Sequence, residues 1–390
     1  MEYKLCDDPW GQEEINAILR VMDSKMFTMG DCVAAYEKEF ASRFGVKYAV
    51  MVNSGSTANL LVIASLVYAN KLPRGSEIIV PAVSWSTTYA PLEQYGMKLV
   101  FADIDRETLN MDVDSLLVCI TDRTKMILLV NLLGNSNLFD TVCEICKSRD
   151  LLLMEDNCES LGAEYDGKKL GTFGIAGTFS TFYSHHLCTM EGGMAVTNDP
   201  ELYEYMLSVR AHGWTRNLPA SSSIYEKRPE SFYESFNFIV PGYNLRPLEM
   251  EGAIGLEQLK KMDRMIAWRR ENAKYFQERM RIFPDIRIQK EIGKSSWFGF
   301  ALILQGTLAG KRDVIVKELI KKGIEVRPIV AGNFTRNKAI AYMDYRIPFP
   351  LKNADEIHDH GFFIGNHSSD NQKEIDYFIQ VLHNTIEKVE

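Results

Sequence analysis

The chain has 390 residues, 46% of them hydrophobic, which is enough for a large core shared between one large and one smaller domain. Its formal net charge of −8 comes from interspersed acids and bases, with no basic block or stripe, so nucleic-acid binding is not expected. The opening MEYKLCDDPWGQEE lacks a charged-then-apolar signal pattern and the longest apolar runs are too short to span a bilayer; a soluble cytoplasmic protein without a membrane role is expected.

In chain order, the first 45 residues read as helical, interrupted by the loop SKMFTMG. Short apolar runs then alternate with helical patterns: KYAVMV, EIIVPAV, LVFADI, KMILLVNLLG, LLLMEDN, GTFSTFYS and GGMAVTN. Buried strands alternating with helices predict an α/β domain with a mostly parallel sheet covered on both faces. The polar segment WTRNLPASSSIYEKRPESFYES predicts a long excursion loop of the functional kind. A long helix is expected around GAIGLEQLKKMDRMIAWRRENAKYFQERM. From about residue 282 a smaller α+β unit follows, with WFGFALIL and IEVRPI as strands and KRDVIVKELIKKG as a helix. The predicted division is 1–281 and 282–390. The seven cysteines are scattered and odd in number, which argues against a disulfide framework. Cys143 and Cys146 form a CxxC, but within a helical pattern, and read as ordinary helix residues.

Three segments carry chemistry. Asn53-Ser54-Gly55-Ser56-Thr57-Ala58-Asn59 follows a strand and opens a helix. Small residues there let backbone amides approach a phosphate, although Ser54 would serve equally as an ordinary helix cap. Asp156, in EDNCES at a strand's carboxyl end, lies where α/β sheets bind ligands. A protonated pyridine nitrogen is one partner for it, and a helix-cap role is the other reading. Third comes STFYSHHLCTMEGG, with His185 and His186. Its spacing fits no standard zinc pattern, so no metal is expected, and local pattern alone does not choose between the two histidines.

In this order, SGSTAN, PAVSWSTT, EDNCES, GTFSTFYS with MEGG, and GYNLRP resemble the DegT/DnrJ/EryC1/StrS family of sugar aminotransferases. The resemblance covers nearly the whole chain. It implies the type I, aspartate aminotransferase-like fold of pyridoxal-phosphate enzymes and an obligate homodimer with shared active sites. It also implies that Gly55, Ser56 and Ser180 bind the cofactor phosphate, Trp85 stacks on the pyridine ring and Asp156 pairs with its nitrogen. Glu159 lies beside the ring, and Asn244 reaches the phosphate in the neighbouring subunit.

One departure matters most. The family's lysine stands six residues before the Glu or Gly that opens the Gly-rich segment, and six before Glu191 is His185. Histidine cannot tether the cofactor covalently, but it can move protons near neutral pH. His186 lies one residue out of that register, and on an extended strand end it would point away. The substitution resembles the sugar 3-dehydratases, a branch of the family. SKMFTMG, PAVSWSTTY, LLGN, YSHH, RAHGWTRNLP and SSWFGF resemble its GDP-sugar type. The CDP-sugar type carries an iron–sulfur cluster, and no cysteine lies beyond Cys188 here. The resemblance implies that pyridoxamine phosphate works with His185 to remove the C3 hydroxyl of a GDP-linked 4-keto-6-deoxy sugar, with ammonia release and regeneration by L-glutamate. It implies Lys25, Met26, Phe27, Thr28, Arg216 and Glu325 for the GDP-sugar, and His212 and Arg246 for glutamate. A CDP-sugar dehydratase, an ordinary sugar aminotransferase and a non-catalytic cofactor-binding relative are the alternatives.

Overall fold

The structure is a computed structural model, and residues 1–389 are described. Two helices open the chain, α1 (Gln12–Ser24) and α2 (Asp31–Phe44). Strands and helices then alternate: β1 (Tyr48–Val52), α3 (Gly55–Tyr68), β2 (Glu77–Pro81), α4 (Ser86–Gln94), β3 (Lys98–Ala102), α5 (Val113–Cys119), β4 (Thr124–Val130), α6 (Phe139–Arg149) and β5 (Leu152–Asp156). A two-residue hairpin, β6 (Glu164–Tyr165) and β7 (Lys168–Lys169), precedes β8 (Ala176–Ser180), β9 (Gly193–Thr197) and α7 (Pro200–Arg210). The excursion loop holds the short α8 (Ser231–Glu234) and ends at α9 (Glu249–Met280). Last come β10 (Ile286–Ile288), β11 (Gly299–Leu304), α10 (Arg312–Lys321), β12 (Val326–Arg327), β13 (Tyr345–Arg346), α11 (Lys352–His360), β14 (Gly361–Gly365) and α12 (Gln372–Val389).

Eight strands form one sheet in the order β1-β9-β8-β5-β4-β2-β3-β13. Pairing is parallel from β8 through to β13, and β9 runs antiparallel to both its neighbours. Strands β2 and β8 are buried along their whole length, as expected where helices cover both faces. The sheet's loop ends gather Ser54, Trp85, Asp156 and Ser180, at the carboxyl ends of β1, β2, β5 and β8. Four antiparallel strands, β10-β11-β14-β12, form a second sheet. Its core joins α9 and α12 through Phe276 stacked on Phe300, ring centroids 4.2 Å apart, with Phe362 and Phe378.

Two segments cross between the sheets. Tyr3 is buried in the core of the smaller sheet and its hydroxyl donates to the Gly365 carbonyl at 2.7 Å. In return, β13 extends the large sheet beside β3, and Arg346 pairs with the fully buried Glu77 at 3.0 Å. We propose the division near residue 282 with these two crossings as its exceptions. Cys143 and Cys146 lie on α6, with Cys146 in the core.

Candidate active site

A cavity of about 620 Å³ opens over the carboxyl ends of the large sheet. Gly55, Ser56, Trp85, Asp156, Glu159, Ser180 and His185 all line it, so seven residues picked from separate motifs meet in one place.

The phosphate-like turn is built from β1 and α3. Ser54 caps α3, its hydroxyl accepting from the Thr57 amide at 3.1 Å while Thr57 Oγ1 accepts from the Ser54 amide at 3.1 Å. The helix-cap reading of Ser54 therefore holds, and it leaves other amides of the turn free of the cap. The cap serves Thr57, while the first helical amides, at Gly55 and Ser56, lie at the helix N-terminus where an anion binds. Gly55 is required there, because a Cβ would sit 2.7 Å from Ser180 Cβ and 2.8 Å from Cys158 Sγ. Ser56 Oγ donates to Thr87 Oγ1 at 2.9 Å.

Asp156 is buried at the cavity floor. Its Oδ2 accepts from Asn59 Nδ2 at 2.8 Å and Thr88 Oγ1 at 2.9 Å, and its Oδ1 from the Cys158 amide at 3.1 Å. Three donors fix the orientation of this side chain. Glu159 accepts from the Leu133 amide at 2.9 Å. Burial nonetheless pushes its carboxyl up to about 7, with the nearby Asp156 adding to the rise. Trp85 lines this cavity and is 58% exposed.

The strand β8 stops at Ser180, and residues 181–190 form turns. This corrects the expectation of an extended strand end around the histidines: the His185 amide bonds back to the Phe182 carbonyl at 2.9 Å. His185 still lines the cavity and His186 does not. The His185 ring packs edge-on against Phe182 and Phe298, and its buried Nδ1 has no hydrogen-bond partner. Burial, assisted by the positive charges of Arg269 and Arg327, pulls its pKa down to about 3, so the imidazole is neutral. No lysine lines the cavity among the described residues.

This wall fits pyridoxal or pyridoxamine phosphate. Gly55 keeps open a cradle that a Cβ would close, Asp156 suits a ring nitrogen, Trp85 offers a flat face, and the His185 Nδ1 is an orphaned polar atom at the same wall.

The remaining predicted residues do not line this cavity in their own chain. Lys25, Met26, Phe27 and Thr28 are exposed, with Thr28 bridged to Leu248. Asn244 is exposed and accepts from Arg246 Nε at 3.0 Å. His212, Arg216 and Arg246 surround Trp214, with the two guanidinium groups 4.7 and 5.7 Å from its ring. The 244–248 segment is tied to the 25–28 loop through the Thr28–Leu248 bridge, and to the Asn53–Asn59 turn where the Asn53 amide donates to the Leu245 carbonyl. Glu325 is exposed and accepts from the Leu5 amide at 2.9 Å.

Sequence reading missed Asn59, Thr88, Phe298 and Arg327, all on the cavity wall. Asn59 stands one helical turn after Gly55, a spacing that could have marked it. Arg327 stands two residues after Glu325 and has no ion-pair partner among the described residues. Phe298 lies in SSWFGF, a segment that carries the resemblance, but no role was drawn from it.

The pattern of the DegT/DnrJ/EryC1/StrS aminotransferase family matches residues 9–383. A GDP-4-keto-6-deoxy-D-mannose 3-dehydratase from Yersinia pseudotuberculosis is 53% identical over 386 residues, 98% of each chain. A solved His-to-Asn mutant of GDP-4-keto-6-deoxymannose-3-dehydratase with bound GDP-perosamine has a TM-score of 0.96 and 53% identity, over 97% of this chain and 100% of that one. The same enzyme with a trapped PLP-glutamate geminal diamine has a TM-score of 0.96 and 53% identity, with the same coverage. The two-sheet architecture is thus the pyridoxal-phosphate aminotransferase fold, and the chain belongs to the DegT/DnrJ/EryC1/StrS family.

Proposed function

We propose that the protein removes the C3 hydroxyl of GDP-4-keto-6-deoxy-D-mannose, giving the 3,6-dideoxy-4-keto sugar that precedes GDP-colitose, and releases ammonia. The observation that carries this reading is a cofactor wall of Asp156, Trp85 and Ser180 facing a neutral imidazole, His185, with no lysine among its described lining residues. The 53% identity to 3-dehydratases over nearly the full chain supports it.

Bound pyridoxamine phosphate supplies an amine for the sugar's C4 ketone and a conjugated ring as electron sink. Gly55, Ser56 and Ser180 hold its phosphate, Trp85 covers one face, and Glu159 lies beside the ring. Asp156 keeps the ring nitrogen protonated, which strengthens the sink. His185 takes the proton from the cofactor's C4′ carbon and can return it to the departing C3 hydroxyl. A lysine there would carry that proton to the sugar's C4 instead, which is transamination. L-glutamate restores the amine and leaves as 2-oxoglutarate.

In this reading the enzyme is a cytoplasmic homodimer. Asn244 completes the partner's phosphate site, His212 and Arg246 take the glutamate carboxylates, and Lys25–Thr28, Arg216 and Glu325 take the GDP-sugar. Support comes from the exposed 25–28 loop with Met26 and Phe27, and from the exposed Arg216, Asn244 and Leu248, all of which lie off the chain's own cavity. The test is incubation with GDP-4-keto-6-deoxy-mannose, pyridoxamine phosphate and glutamate. A product lighter by one oxygen in mass spectrometry, with ammonia and 2-oxoglutarate formed, supports the proposal. A 4-amino sugar product refutes it.

A further inference from the structure

His186 has no part in the chemistry above, yet it is only 1% exposed. Its Nε2 lies 3.1 Å from the Ser296 carbonyl, and its buried Nδ1 has no partner. A carbonyl only accepts, so Nε2 carries the hydrogen. Burial, reinforced by the positive charge of Arg269, holds this ring well below the ordinary histidine range, and it remains neutral.

Ser296 belongs to a strap, residues 295–298, that leads into β11. The strap is pinned along its length. The Ser296 and Phe298 amides donate to the Gly134 and Leu133 carbonyls at 3.0 and 2.9 Å. Asn366 Nδ2 donates to the Trp297 carbonyl at 2.8 Å. Arg269, itself 2% exposed, donates from Nη1 to the Phe298 carbonyl at 3.2 Å. Trp297 has a φ of 46°, a left-handed value that a bulky residue holds only when its surroundings over-determine it. At the strap's end the Phe298 ring lies 5.1 Å from the His185 ring and forms part of the cavity wall.

The turn that carries His185 is far less tied. Thr181 and Thr189 close its base, and Cys188 is held by Gln258 and Trp10. Across Tyr183–Leu187, the His186–Ser296 bond is the one side-chain hydrogen bond among the described residues.

We infer that His186 is a positioning residue for the reaction: its Nε2–H, donated to the Ser296 carbonyl, seats the catalytic turn on the strap and so sets the His185 imidazole against Phe298 at the cavity wall. The inference rests on His185 being the base.

Three variants test it. In His186→Gln, the side-chain amide reaches where imidazole Nε2 was and can donate. In His186→Asn the amide falls short, and His186→Leu fills the space without a donor. The turnover of the Leu variant should fall by about 10–100-fold, the scale of a misplaced catalytic group, with both substrate KM values within about twofold. In cofactor-free protein, hydrogen exchange across residues 183–187 should quicken about fivefold, the scale of one hydrogen bond. His186→Gln should restore most of both. If the Leu variant does not fold, Asn takes its place against Gln. Equal impairment in Gln and Leu, or faster exchange with unchanged turnover, overturns the positioning role. Wild-type protein that fails to dehydrate the keto-sugar refutes the proposed function and the positioning role with it, whereas normal exchange in the Leu variant refutes the tie alone.

Discussion

Replacing His185 by asparagine should separate catalysis from folding. The ring makes edge contacts with Phe182 and Phe298, at centroid distances of 5.8 and 5.1 Å, and its Nδ1 makes no hydrogen bond. The exchange therefore breaks no polar network, and the expected cost in stability is about 1 kcal/mol or less. Cofactor contacts come from other residues, so cofactor and sugar binding should persist. Turnover should fall by about 10²–10⁴-fold, which corresponds to roughly 3–5 kcal/mol in the barrier. Single-turnover mixing of the pyridoxamine-phosphate form with GDP-4-keto-6-deoxy-mannose, read by ammonia release, gives the rate. Thermal melts and equilibrium dialysis with the cofactor give the other two quantities. More than about a tenth of normal turnover would show that His185 is not the base. A full loss of activity in His186→Asn with nearly normal His185→Asn would place the base one residue later.

Three further outcomes follow from the same geometry. Both histidines are held below their ordinary 6.5, so the unfolded chain takes up protons that the folded one refuses. The histidines' contribution to the stability of the cofactor-free protein should be full above about pH 7 and fall as pH drops from about 6.5 towards about 3; melts of the wild type and His185→Asn should diverge there, and parallel curves would contradict the assignment. Arg327→Ala should raise the KM of an anionic reactant about tenfold or more, since Arg327 is a cavity-lining cation without an ion-pair partner among the described residues. Separate titrations with glutamate and nucleotide sugar identify which, and no change in either removes Arg327 from binding. Gly55→Ala drives a methyl group into Ser180 and Cys158, a strain of about 1–3 kcal/mol, and should weaken cofactor binding at least tenfold; an unaltered dissociation constant would mean the phosphate does not sit there.

The element order was legible in the sequence because strands buried on both faces read as apolar runs between helical patterns. Every such run from KYAVMV to GGMAVTN became a strand of the large sheet. The return of β13 to that sheet was not legible. A two-residue strand carries no periodicity, and its register depends on Arg346 finding Glu77 across 269 positions of chain.

By itself the sequence offered a strand-to-helix turn rich in small residues and a carboxylate at a strand end, which are local properties of residue type and spacing. The family resemblance added Trp85 and the histidine that stands where relatives have lysine. Only the tertiary structure decided which groups meet. It brought Asn59 and Thr88 onto Asp156 from 97 and 68 residues away, as two polar side chains whose neighbours in sequence give no hint of a shared carboxylate. It also set the two adjacent histidines apart on a turn, where the sequence had suggested an extended strand end. One imidazole faces the cavity, and the other is buried against Ser296, 110 residues further along the chain.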